Sequence, residues 1–444
     1  MKQLTNFCLE IKNILGDNNH LSIQEARKVV KNINDYLYTN YNGIGRTEIL
    51  GSIQEYFSDF HKFWKEHHRD ILDCKIVDEK CELVADALHD IYLKTKGAAF
   101  KDSFETLGLS NQDICRVRFI TANQDFSGSL NFEELAKIFK TDNSIFDERI
   151  IYDKPGDFIN DIKIQAKSQN DKRIAYAKNI SKFLLDKACT PYELIDYYKG
   201  DVYLLRKDLI SLNGAGYGNK KTDMFIRDMV VLGVWRNVKG FDKIDVASDV
   251  NTIKVALRTG IVKSEIPLIS SFLDIFCYQY DYIDSMNAKA WRRVWEIWNE
   301  KYPKECLKSP CLIDYFIYNV VGKQFCKEIL YTFLCEEHDH LFKWHSSQNK
   351  TCQVCYKNNK KQRVAAKLIE KQMPCMDEEG SIAILQTKYV SELPADQKIK
   401  ECPFKNICEG TRTLQPPKSI SILGRTGWTS AYTRKNNGGG GLMS

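Results

Sequence analysis

Two lysines open a helix directly behind a run of alternate glycines. The stretch Leu212, Asn213, Gly214, Ala215, Gly216, Tyr217, Gly218, Asn219, Lys220, Lys221 leads into an amphipathic segment beginning Thr222, Asp223, Met224, Phe225. Gly214, Gly216 and Gly218 permit positive φ and put no Cβ in the way of an approaching ligand. Free N–H groups at the helix start behind them can be accepted by an anion. Such a hairpin binds phosphate, and its setting between two helices favours a nucleic-acid backbone over a nucleotide. Downstream stands Ser248, Asp249, Val250, Asn251, Thr252, Ile253, Lys254, Val255, Ala256, Leu257, Arg258. Asp249 sits where an N-cap is expected, and an ordinary capping aspartate is the plain reading of that residue taken alone.

Together the two segments resemble the helix-hairpin-helix DNA glycosylase superfamily, the endonuclease III-like enzymes. The resemblance spans residues 111–330 and is tight over 212–260. It implies that Lys220 is the catalytic lysine of the bifunctional members and Asp249 the family carboxylate. Gly214, Gly216, Gly218, Asn219 and Lys221 then contact DNA, a duplex with one nucleotide flipped out. Two departures stand. The Leu-Pro-Gly frame of the family reads Gly214, Ala215, Gly216 here, and Leu212, Asn213, Gly214 offers a second register that demotes Lys220. The interval from Lys220 to Asp249 is about ten residues longer than the family's, which leaves Asp245 as a rival carboxylate.

The implied chemistry accounts for the residue types. An amine attacking a sugar C1′ must be neutral, whereas an ordinary lysine of pKa about 10.4 is ~0.04% neutral at pH 7. Partial burial and a neighbouring positive charge favour the neutral form. A carboxylate accepts the proton or stabilises the oxocarbenium-like sugar as the base departs. Reaching C1′ requires the nucleotide to leave the stack, at a cost of about a few kcal/mol. The resemblance therefore implies excision of a modified or damaged base, either by a water nucleophile in a monofunctional enzyme or through the lysine with β-elimination at the abasic site. A non-catalytic DNA-binding protein and an N-glycosidase acting on RNA or nucleosides are the alternatives.

Cysteine and histidine cluster after residue 335. Cys335 and His338, followed by Cys352 and Cys355, form two close pairs whose spacing suits a tetrahedral Zn2+ site. His340 and His345 compete with His338. Cys402-Pro403 through Cys408 resembles the closing part of the iron–sulfur loop of endonuclease III relatives. A [4Fe–4S] cluster then takes Cys326, Cys375, Cys402 and Cys408, and a second zinc, or one site shared by Cys352, Cys355, Cys402 and Cys408, is the alternative. Residues 123–134 match a calcium loop at six positions but carry Asn123 at its first, and a turn between two helices is expected there.

The chain of 444 residues is expected to divide into a helical extension (1–110), the glycosylase-like core (111–330) and a small, irregular metal-binding region with a flexible tail (331–444). The fold is expected to be mainly α. Apolar residues at three- and four-residue spacings predict helices over Ser22–Tyr38, Glu48–His67 and Ile76–Lys96, then Asp171–Asp186, Pro191–Tyr198, Val202–Leu212 and Thr222–Val234. Asn251–Leu257, Pro267–Tyr280, Ala288–Trp298 and Leu312–Tyr331 follow. A net charge of +6 is mild, so a polyanion must meet a local patch, such as the lysines between 350 and 371. Fifteen cysteines without a secretory signal point to a reducing, intracellular compartment, cytoplasmic or nuclear. No stretch reads as membrane-spanning.

Overall fold

The computed structural model describes residues 72–101, 105–125, 132–163, 170–264 and 281–325. It also describes residues 13 and 69 and segments 45–49, 52–56, 330–335, 340–344, 366–372, 375–376, 382–383 and 402–408. In chain order these form β1 (Gly45–Ile49), β2 (Ser52–Tyr56), β3 (Lys75–Ile76) and α1 (Asp78–Thr95). Then come α2 (Asn111–Ala122), α3 (Phe132–Thr141), α4 (Glu148–Asp153), α5 (Pro155–Asp161), α6 (Asn170–Lys187) and α7 (Leu194–Tyr197). The run α8 (Val202–Ser211), α9 (Asn219–Val231) and α10 (Val250–Thr259) follows, then β4 (Val262–Lys263) and α11 (Asp281–Lys301). A π-helix (Phe316–Phe325) precedes β5 (Leu330–Cys335), β6 (His340–Trp344), β7 (Ala366–Gln372), β8 (Cys375–Met376) and β9 (Ile382–Ala383). Helices hold 67% of the described residues, so the chain is mainly α. No helix among them is long and apolar enough to cross a membrane.

The chain divides into two compact units: Met1–Ala99, Ser248–Cys306 and Phe316–Ser444 form one, Phe100–Ala247 and Leu307–Tyr315 the other. The expected core 111–330 is thus shared between them, and the second unit begins close to the expected boundary at residue 110.

In the second unit, α2 to α9 surround one aromatic centre. The Phe119 ring lies 5.3 Å from Tyr217, 5.2 Å from Phe225 and 6.5 Å from Phe183. Trp235 adds an edge-on contact to Phe225 at 5.4 Å. Rings at such separations contribute about 0.5–1.5 kcal/mol each beyond the area they bury. Beside this centre α9 buries charge. Asp228, 2% exposed, accepts from Arg118 (Nε, 2.7 Å) and Arg227 (Nη2, 2.8 Å), and Arg227 also pairs with Asp314. On its other side Asp223 receives Arg206 through Nη2 at 2.8 Å and through Nε.

In the first unit α1 packs along α11, with Arg293 bonded to Asp78 at 2.9 Å and Lys301 to Asp86 at 3.2 Å. Trp291 and Trp298 are fully buried. The start of α10 is pinned to α11 by buried Asn287, whose amide donates to Ser248 Oγ (2.9 Å) and Thr252 Oγ1 (3.0 Å) and accepts from Trp291 Nε1. The π-helix passes so close to α10 that a Cβ on Gly322 would lie 2.7 Å from Asn251 Cβ, which explains the glycine.

Several expectations are corrected. Glu48–His67 is not one helix: β1 and β2 form an antiparallel hairpin over 45–56, with Ile49 opposite Ser52. The overlooked signal is two five-residue runs separated by two residues, the second of them Gly51. The helix expected over Leu312–Tyr331 ends at Phe325, and Leu330–Cys335 is a strand. The region after 331 carries a three-stranded antiparallel sheet, ordered β6-β5-β7, with β8 paired to β9. Alternation of Tyr331, Phe333 and Cys335 with other residues is a period-two pattern, and it puts described strands inside the region expected to be irregular. Ser22–Tyr38 and Pro267–Tyr280 lie outside the described residues.

Burial pushes the Asp228 carboxyl up, but Arg118 and Arg227 outweigh it and hold the group below its ordinary value. A depressed carboxylate contributes stability that is present above its unfolded pKa of about 3.9 and lost as pH falls through the folded value. Asp228→Asn should therefore lose about 3–5 kcal/mol at pH 7 in urea unfolding, with the deficit shrinking in acid. An equal loss at pH 7 and pH 3 would contradict this assignment.

Candidate functional site

The hairpin between α8 and α9 is built around two inward residues. Ala215 is fully buried and Tyr217 is 2% exposed. Each can turn inward because Gly214 (φ 67°) and Gly216 (φ 74°) adopt left-handed backbone. The hairpin is tied to its surroundings at three points: Asn179 Nδ2 donates to Gly214 O (2.8 Å), Asn123 Nδ2 to Ala215 O (2.9 Å), and the Tyr217 hydroxyl to Phe119 O. A Cβ at Gly216 would fall 2.5 Å from the Tyr176 ring.

Gly218 differs from the other two. Its backbone is extended (φ −88°, ψ −176°), nothing lies within 4 Å of where its Cβ would stand, and it caps α9 with no side-chain hydrogen bond. Gly218, Asn219 and Lys220 are all exposed. Helix α9 thus begins with uncapped N–H groups turned to solvent and an ammonium in its first turn, an arrangement suited to an anion. It is Gly218, not Gly216, that precedes the helix, so Lys220 is the second helical residue.

The two lysines separate cleanly. Lys220 points to solvent, while Lys221 is half-buried and donates to Asp125 O (2.5 Å) and Asp125 Oδ2 (3.0 Å). Burial lowers the Lys221 pKa, and the Lys220 charge adds to this while Asp125 opposes it. Burial, expected to act on Lys220, falls instead on its half-buried neighbour. The side chains at the first and third positions of the calcium-like loop, Asn123 and Asp125, are occupied by the hairpin and by Lys221.

Asp249 caps α10. Its Oδ1 accepts from Asn251 N (2.9 Å) and Thr252 N (2.8 Å), and Thr252 Oγ1 accepts from Asp249 N at 2.9 Å, a reciprocal capping box. Its Oδ2 has a single long contact, to Asn251 Nδ2 at 3.3 Å. The plain capping role is therefore filled by one oxygen. Asp245, the rival carboxylate, heads no helix and lies 4.0 Å from Arg206. Lys220 belongs to the second unit and Asp249 to the first.

Of the expected metal ligands, His338, Cys352, Cys355 and Cys326 lie outside the described residues, and Cys375 is in β8. Cys335 ends β5, buried, with its Cα opposite that of His340. Cys402 and Cys408 flank a single turn in which Lys405 N donates to Cys402 O and Cys408 N to Phe404 O, with the Phe404 ring fully buried beneath. Such a turn can present two thiols to one side. Among the described residues no three metal-ligating side chains come together.

No protein-family model matches the chain, and a comparison with curated proteins finds no relative.

The glycines give a paired expectation. Gly216→Ala should lose about 1–3 kcal/mol in thermal or urea unfolding, from strain and from the clash with Tyr176. Gly218→Ala should cost no more than about 1 kcal/mol yet weaken duplex DNA binding on the order of 10-fold, because its Cβ meets only an incoming ligand. Unchanged DNA affinity in Gly218→Ala would remove the anion site.

Proposed function

We propose that this protein is a DNA N-glycosylase that releases a modified or damaged base. The observation that carries the reading is the start of α9: an open glycine cap, uncapped N–H groups and an exposed lysine in the first turn, joined to α8 by a hairpin tied at three points. That combination can hold a DNA phosphate and present an amine beside it.

In the proposed reaction the Lys220 amine, or a water in a monofunctional enzyme, forms a bond to C1′ as the C1′–N bond breaks and the base leaves with the electron pair and a proton. Asp249 provides negative charge for the developing oxocarbenium through the oxygen not used in capping. Attack by lysine leads, after ring opening, to a protonated imine from which β-elimination can proceed. The C-terminal thiols, including the Cys402–Cys408 turn, remain candidates for zinc or a [4Fe–4S] cluster with a structural part in DNA binding. The second reading, a non-catalytic DNA-binding protein, draws its support from the capping box, which gives Asp249 a complete structural role.

Asparagine caps a helix as well as aspartate does, so Asp249→Asn keeps the fold and removes the charge. Wild-type protein incubated with modified genomic DNA should release free base detectable by mass spectrometry, and Asp249→Asn should release it at least ~100-fold more slowly while binding the same DNA. Binding without base release by the wild type, across DNA of differing modification, would favour the non-catalytic reading.

A further inference from the structure

The end of α2 reaches the catalytic-candidate helix at two levels. At its C-cap, Asn123 is 1% exposed and its amide donates to both Ala215 O of the hairpin (2.9 Å) and Tyr176 O of α6 (3.2 Å). Two residues further on, Asp125 takes the Lys221 ammonium through its carbonyl and its carboxylate. The pair joins positions 96 residues apart in sequence, so it is a tertiary contact and not a local cap.

Helix geometry gives this contact a consequence. Successive residues on an α-helix are rotated by about 100°, so fixing the direction of one side chain in the first turn fixes that of the next. Lys221 is drawn inward to Asp125, and Lys220 is thereby turned outward, on the side where Gly218 leaves open space. Thr222 and Asp223, both buried, set the face that α9 turns inward, and the pair adds a tie within the first turn itself, where each lysine is otherwise a long cation able to lie along the surface. The start of a helix is also where its own hydrogen bonds are weakest, with Thr222 N donating to Gly218 O as its first.

We infer that Asp125 and Lys221 are positioning residues: their ion pair ties down the first turn of α9 and so aims Lys220 at the scissile sugar. The inference rests on the glycosylase reading above. Its chemical content is separate, since Lys221 neither attacks nor grips DNA but orients its neighbour. Burial disfavours the charged Lys221 and Asp125 opposes that, so loss of the carboxylate leaves the cation without its partner at the root of the helix.

The test compares Lys221→Met, Lys221→Arg and the charge-reversed double variant Asp125→Lys/Lys221→Asp. Three measurements are made on each full-length protein: single-turnover base release, duplex DNA affinity and amide hydrogen exchange at Thr222. Lys221→Met should slow single-turnover release between about 10- and 100-fold, with DNA affinity within about 2-fold of wild type. Exchange at Thr222 should rise on the order of 10-fold. Lys221→Arg and the reversed pair should recover most of the rate and protection. Faster exchange with an unchanged rate would reduce the pair to a structural contact and overturn the inference. So would a rate lost in proportion to DNA affinity, because Lys221 would then be a phosphate ligand. Absence of base release by the wild type would instead sink the glycosylase reading, while exchange would still report whether the pair orders the helix start.

Discussion

A buried tyrosine between two glycines sets the geometry on which the candidate site depends. Tyr217 can reach the aromatic centre only if the backbone on its N-terminal side takes a left-handed turn and the backbone behind it runs extended into α9. Gly216 and Gly218 supply these two conformations. The ring then packs on Phe119 and Phe225 while its hydroxyl is satisfied by Phe119 O. Burial of the ring contributes about 2–3 kcal/mol, and the hydroxyl would be costly to bury without its acceptor. With the root of α9 held in this way, its first turn projects from a fixed point, and open N–H groups need not be ordered by the ligand itself.

The rest of α9 is held by charge. Asp223 and Asp228 lie on the helix with Arg206, Arg118 and Arg227 drawn to them from α8, α2 and the same helix. Buried ion pairs give little net stability compared with apolar packing, but each has few good arrangements. Here they link α2, α8 and α9 at defined rotations, which an apolar surface alone specifies less sharply. The Asp125–Lys221 pair continues the same device to the helix start. In the other unit the neutral network of Ser248, Asn287, Thr252 and Trp291 does the equivalent for α10 and its cap Asp249.

How much of this could be read in the sequence depends on the range of the forces involved. The hairpin, both flanking helices and the Asp249 cap follow from local rules, namely glycine at positive φ and a carboxylate at an N-cap, and they were legible. The direction of each lysine was not. Lys220 and Lys221 are chemically identical and adjacent, and the partner that holds Lys221 inward, Asp125, lies nearly a hundred residues away. The choice of register between Gly214, Gly216 and Gly218 was likewise undecided, since it depends on Ala215 and Tyr217 both finding buried places. The β1–β2 hairpin and the sheet β6-β5-β7 were missed because short mixed segments fit both helical and alternating patterns, and strand pairing between β5 and β7 is a distant contact.

The proposed attack by Lys220 implies a covalent bond between this chain and DNA. Sodium borohydride added to the protein turning over DNA that contains its excised base should reduce the imine to a stable adduct, with the modified peptide carrying Lys220 in tandem mass spectrometry. Lys220→Gln should give no such adduct. Base release by the wild type with no trapped adduct would assign the attack to water, and an adduct persisting in Lys220→Gln would contradict the role given to this lysine.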